Sequence, residues 1–170
     1  DNTYAWCYTR QNGKVQVNPN YYSSWSKVSR DYEQDVMSGW HPKGTTAESI
    51  VTHEVGHAID GLLAREGVLG GVAADGSYRY ASSTMRNTVM KRAAKKDEKI
   101  AEYWEVKDWS GKADKRCQSY AIEKYVSRYA TKNPQEWFAE CFAEYITSAN
   151  PRVVATEFGK ELERLVKKIQ

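Results

Sequence analysis

Only three histidines, three cysteines and four prolines occur among the 170 residues. No apolar run approaches the ~20 residues that would cross a bilayer, and the N-terminus lacks the charged-then-apolar layout of a signal peptide. Cys7, Cys117 and Cys141 are odd in number and show no CxxC spacing. Neither a disulfide framework nor a cysteine-built metal site is therefore indicated. Cys141, set among Phe138, Ala139 and Phe142, reads as a small buried hydrophobe. Scarce proline and eleven glycines, beside 41% hydrophobic and 28% charged residues, exclude collagen, long disorder and low complexity. The charge balance is also slight: 25 Lys and Arg against 22 Asp and Glu give +3. That is too small and too interspersed for a nucleic-acid footprint. The lysine-rich stretch Lys91 to Lys99 is broken by Asp97 and Glu98 and reads as a solvated helix face. We expect no nucleic-acid partner and no membrane association, and the oligomeric state is left open. A chain this long buries roughly two-thirds of its unfolded surface. It is therefore expected to form one domain over residues 1–170, with no metal needed merely to fold. Because it begins at Asp1 and not at Met, that domain is expected to be excised from a longer protein.

The chain opens with two short β-prone runs, Tyr4 to Thr9 and Lys14 to Val17, around Asn12-Gly13, a strong hairpin signal. A helix is expected over Tyr22 to Met37, with Trp25, Val28, Tyr32 and Val36 on one side. Thr45 followed by Glu48 predicts a capping box, and Val51, Val55, Ala58, Ile59 and Leu62 then recur at helical spacing to about Arg65. Gly67 to Ser77 reads as a flexible loop. Helical character returns over Ser83 to Trp104 and Ala121 to Arg128, with a polar, turn-like stretch at Lys107 to Lys115. Asn133-Pro134-Gln135-Glu136 is a well-formed helix start for a segment ending near Ser148. Asn150-Pro151 repeats the device before a last amphipathic helix. The fold class expected is α+β, mainly helical, with a small N-terminal sheet.

The most informative residues are His53-Glu54-Val55-Gly56-His57, an HExxH on the best-defined helix. Residues four apart lie one above the other on a helix, so both imidazoles can reach one cation. At about 2.0 Å per zinc–nitrogen bond they make two legs of a tetrahedron. Glu54 leans beside that point and can take a proton from water without ligating. The competing reading needs two core imidazoles and a carboxylate on consecutive turns, each with its own buried partner. In a chain with so few histidines, we expect Zn2+ instead. A catalytic zinc needs a third protein ligand. The residues after His57 are Ala58-Ile59-Asp60-Gly61, so the longer HExxHxxGxxH pattern is absent, and His41 lies upstream. The third ligand is expected to be a carboxylate. Glu136, Glu140 and Glu144, each four apart, share one face of the later helix.

HEVGHAID, followed much later by Tyr129-Ala130-Thr131-Lys132-Asn133-Pro134-Gln135-Glu136-Trp137-Phe138-Ala139-Glu140-Cys141-Phe142, resembles the catalytic domain of anthrax lethal factor and its relatives. These include the Pro-Pro endopeptidases. This is a gluzincin family with an HExxH helix, a later helix carrying an E-aromatic-F-A-E pattern and a Tyr seven residues before the first Glu. The resemblance covers about residues 46 to 61 and 129 to 146 and implies a zincin-like domain. It makes His53, His57 and Glu136 metal ligands, Glu54 the general base and Tyr129 the hydroxyl that steadies the oxyanion. Glu140 is the alternative third ligand, or a support for a ligand histidine. Asp60 could support His57 in the same way or simply end the polar face. Pro134 and Trp137 depart from the relatives, and the first forty residues align with nothing, so substrate preference does not transfer.

The implied activity is that of a zinc metalloendopeptidase acting on a peptide or protein substrate. Similar domains also occur in phage minor head proteins, so the alternative is a zincin-fold structural or binding module without physiological proteolysis. Either implies a secreted or virion-associated location more than a resident cytoplasmic one. Trp40, Tyr78 and Tyr80 are candidates for lining a substrate cleft, although packing explains most aromatics.

Overall fold

A computed structural model describes residues 3–11 and 13–169. The chain is mainly helical, with small amounts of strand. Strands β1 (Ala5–Tyr8) and β2 (Lys14–Val17) pair antiparallel in register Ala5 to Val17. Gly13 in their connection has φ 71°, a left-handed conformation suited to glycine; Asn12 lies outside the described residues. The helix expected over Tyr22 to Met37 is α2 (Trp25–Met37), starting three residues later, and a short helix α1 (Pro19–Tyr22) precedes it. The Asn18 side chain caps α1 at the Asn20 amide, and Pro19 takes the first helical position. On α2 only Val28 and Tyr32 are buried, while Trp25 is exposed.

Helix α3 (Ser49–Arg65) carries the HExxH. Its expected cap is not formed: the Thr45 hydroxyl donates to Pro42 O at 2.7 Å, and Glu48 instead accepts from Thr46 Oγ1. Its buried face also differs from the apolar stripe. Val51 and Val55 are exposed, whereas Ile50, His53, Glu54, Gly56, Asp60, Gly61, Leu63 and Ala64 are buried. The segment after α3 is ordered, with β3 (Gly71–Val72) paired to β4 (Tyr78–Arg79) around a turn in which Asp75 accepts from Ser77 N.

Helices α4 (Ser82–Lys96), α5 (Glu98–Trp104) and α6 (Lys115–Tyr125) follow, then a 3₁₀ turn at Tyr129–Thr131. The lysines at 91, 95, 96 and 99 are exposed, as a solvated face requires. In α7 (Pro134–Thr147) the Asn133 side-chain Oδ1 accepts from the Glu136 amide at 2.8 Å, capping the helix. Helix α8 (Val153–Val166) is not capped by Asn150; Arg152 stands at that position, its amide bonded to Glu144. Among the described residues no helix is long and apolar enough to cross a membrane.

Two apolar cores result. The larger gathers Leu63, Met85, Trp104, Trp137, Phe138 and Phe158 between α3 and the later helices. The smaller gathers Ala5, Val28, Tyr32, Ala47 and Ile50 under the N-terminal hairpin. Helix α3 runs from one to the other, with Ile50 in the small core and Leu63 in the large one, so His53 and His57 fall on the seam. Gly56 explains how α7 comes so close there. A Cβ at Gly56 would lie 2.9 Å from Ala139 Cα and 3.2 Å from Phe142 Cβ. Glycine inside a helix costs about 1 kcal/mol relative to alanine, and here it makes room for the backbone of α7.

Candidate metal centre

Four buried or half-buried side chains converge across the contact of α3 with α7. His53 Nε2 and His57 Nε2 lie 3.1 and 3.2 Å from the same Glu136 carboxylate oxygen. The two imidazoles stand edge to face, with centroids 4.9 Å apart, as expected of positions four apart on one helix. One donor atom from each of His53, His57 and Glu136 lies within 4.8 Å of the others. The Asn133 cap does not divert Glu136: the cap uses its backbone amide and leaves its carboxylate to face the histidines.

Glu140, one turn further along α7, reaches the far side of His53 and is 2.7 Å from its Nδ1. That bond fixes the ring so that Nε2 looks into the cluster. Glu140 is only 1% exposed, and its charge is met on every side. Ser127 Oγ donates to it at 2.7 Å, and His41 Nδ1 lies 3.3 Å from both its oxygens. His41 is in turn stacked on Tyr32, with centroids 4.7 Å apart at 10°. Burial alone would raise the Glu140 pKa, but the bonds from His41 and His53 override it and hold it at about 2. Glu140 thus supports His53 and is not part of the three-residue donor set.

Burial likewise works against the charged form of His53, yet the carboxylates of Glu136 and Glu140 outweigh it and raise the imidazole pKa to about 10. Burial also opposes the ionised form of Glu136, but His53 and His57 hold its carboxyl well below the usual carboxylate range. Two imidazole nitrogens therefore face one carboxylate oxygen around a common point. Two nitrogens and a carboxylate oxygen form a set suited to a divalent cation such as zinc. A further buried carboxylate borders the site, outside the donor set. Asp60 is 1% exposed; one of its oxygens accepts from Ser82 N at 2.9 Å, and Oδ2 has no hydrogen-bond partner. Burial raises its carboxyl pKa to about 6, against the hydrogen bonds from Ser82 and the charge of His57. Asp60 lies one helical turn after His57 and borders the same cavity.

Glu54 is 8% exposed and opens onto the cavities on both sides of the cluster. Burial raises its pKa, and His53 and His57 pull it back. Tyr129 packs its ring 5.7 Å from that of His53 and 5.6 Å from that of His41. Burial, followed by the charges of Glu136, Glu140 and Glu54, pushes its phenol up, so it stays a proton donor. Cys7 on β1 borders the same cleft, but burial and Glu54 push its thiol up to about 11. It is not part of the three-residue donor set.

The cleft runs through the site. One cavity, of about 520 Å³, lies on the side of Trp40, His41 and Tyr129, and another, of about 300 Å³, on the side of Trp6, Tyr80 and Gln135. Of the aromatics expected to line it, Trp40 and Tyr80 do, whereas Tyr78 packs against Tyr80. His41 and Ser127 were not predicted from the sequence; the scarcity of histidine was the one signal that could have singled out His41. A scan against protein-family models and searches of curated proteins and of solved structures find no match to this chain.

Proposed function

We propose that this domain is a zinc-dependent endopeptidase with a zincin-like arrangement, hydrolysing peptide bonds with Glu54 as general base. The observation that carries the reading is the convergence of His53 Nε2 and His57 Nε2 on Glu136, with the carboxylate of Glu54 buried beside them at the meeting of two cavities. His53, His57 and Glu136 would hold the ion. When bound, zinc supplies a Lewis acid that polarises a carbonyl and brings the pKa of water from ~15.7 toward ~7. Glu54 accepts the proton of the attacking water and passes it to the leaving amine. A carboxylate whose affinity for protons is raised by burial is suited to both halves of that transfer. Tyr129 donates its phenolic hydrogen to the developing oxyanion, a contact whose loss typically costs ~10² to 10³ in turnover. Glu140, braced by Ser127 and His41, keeps the His53 ring aligned. The resemblance to the lethal factor family agrees with this distribution of roles.

Elemental analysis of the purified protein, combined with cleavage of a peptide library, tests the proposal. Glu54→Gln is expected to retain zinc and lose cleavage, and His53→Ala to lose both. Zinc-dependent cleavage by Glu54→Gln at the parent rate would remove the base assignment. A chain that takes up zinc and cleaves nothing would instead be the non-catalytic module.

A further inference from the structure

The cavity on the Trp40 side of Glu54 is rich in aromatic side chains. Five aromatic rings border it, from Tyr4, Tyr21, Tyr32, Trp40 and Tyr129. Tyr4 packs 4.9 Å from Tyr21 and 6.3 Å from Tyr32, and Trp40 packs 5.6 Å from Tyr129. His41 links the two groups, 4.7 Å from Tyr32 and 5.6 Å from Tyr129. The charges are uneven. Asp35, half-buried in the lining, accepts one side-chain hydrogen bond, from Tyr4 Oη at 3.2 Å. No lysine or arginine pairs with Asp35 among the described residues, and Lys27 is committed to Asp31 at 2.5 Å. The cation in the lining is Lys132, an exposed residue. Its ammonium sits 3.9 Å from the centroid of the Tyr129 ring and 5.4 Å from that of Trp40. The chain's own side chain thus shows how an ammonium can lie on these rings, where the π faces attract positive charge.

We propose that this cavity binds a basic side chain, arginine or lysine, of the polypeptide presented to Glu54, with the aromatic rings as its walls and Asp35 as its counter-ion. Lys132 competes for the same ring faces and is displaced as that side chain enters. Aromatic walls favour the guanidinium plane and the aliphatic stem of such a residue together. The uncharged isostere of lysine would bury the same stem but leave Asp35 unpaired. The occupant as a substrate side chain rests on the hydrolase reading above; the binding itself does not.

The test separates the two. Metal-free protein is titrated with N-acetyl-arginine methylamide, N-acetyl-lysine methylamide and N-acetyl-norleucine methylamide while amide and indole resonances are followed by NMR. The basic probes are expected to shift resonances of Trp40, His41 and Asp35 and to bind about tenfold more tightly than the norleucine probe. Asp35→Asn should erase most of that preference without changing norleucine binding, and Lys132→Met should strengthen binding of the basic probes. Equal binding of charged and uncharged probes, or a preference that survives Asp35→Asn, overturns the proposal. Zinc-loaded protein is then given a peptide library. Cleavage indifferent to basic residues beside the scissile bond overturns the substrate assignment while the hydrolase reading stands. Selective probe binding with no cleavage of any peptide leaves the pocket established and removes the hydrolase.

Discussion

Replacing Gly56 by alanine tests whether the close approach of α3 and α7 builds the proposed metal centre. The new Cβ would meet Ala139 Cα at 2.9 Å and Phe142 Cβ at 3.2 Å. The first neighbour is backbone and cannot swing away, so the helices must separate by roughly 0.5–1 Å to restore ordinary contact. Overpacking of this kind costs about 1–3 kcal/mol, against which alanine regains about 1 kcal/mol of helix propensity. The net loss of about 0–2 kcal/mol lowers the melting temperature by a few degrees and leaves the protein folded. The effect on the proposed ion binding is larger. His53 and His57 ride on α3 and Glu136 on α7, so the separation acts directly on the ligand set. Ligand distances tolerate only about 0.2 Å, and a tenfold or greater loss of zinc affinity is expected. Competition with a chromophoric chelator measures it, with circular dichroism confirming the fold. A Gly56→Ala protein that binds zinc within threefold of the parent would refute the idea that this glycine sets the ligand spacing.

Other outcomes follow from the same contacts. Asp60→Asn removes a buried carboxylate whose charge acts on His57 through space and should weaken zinc binding modestly. Because the folded carboxyl has its pKa raised to about 6 from an ordinary 3.8, the charged parent loses stability relative to this variant as pH rises from about 4 to 7. Urea titrations of the metal-free proteins across that range should show the gap widening by on the order of 2 kcal/mol; a constant gap would remove the argument. Tyr129→Phe should keep zinc and lower turnover by ~10², and an unchanged turnover would remove its hydroxyl from the chemistry. On α8, burial works against the charge of Glu157, but Lys96 and Lys160 hold its carboxyl low; for Glu161 the Arg164 hydrogen bond leads, with Arg92 adding to it. Their stabilisation is present above about pH 4.5 and lost as acid protonates them, so melting temperatures of parent and Glu157→Gln/Glu161→Gln proteins should converge at low pH.

The sequence made the HExxH helix, the capped start of α7 and the amphipathic last helix legible, because each rests on local spacing or local capping. It misplaced the buried face of α3. Val51 and Val55 obey apolar periodicity, yet α7 covers His53 and Gly56 instead, and Asp60 is buried against the start of α4. Hydropathy does not register burial of groups that satisfy one another. The Thr45–Glu48 cap failed because the Thr45 hydroxyl donates to Pro42 O and lies within hydrogen-bond distance of Tyr32 Oη, a contact from α2 that no local pattern encodes. His41 was passed over for a similar reason: it meets Glu140 from ninety-nine residues away.

The division into a large and a small apolar core has a consequence for how the molecule opens. The small cluster holds only Ala5, Val28, Tyr32, Ala47 and Ile50 as buried members, and with so little buried surface it is the part that comes apart at the lowest free energy. Amides of the hairpin and α2 should therefore exchange with deuterium well before those of α7. During such excursions Tyr4, Tyr32 and His41 leave one wall of the cleft, whereas the histidine pair and Glu136 stay together on helices anchored in the large core. Breathing of the N-terminal lobe would then widen the cleft without separating His53, His57 and Glu136.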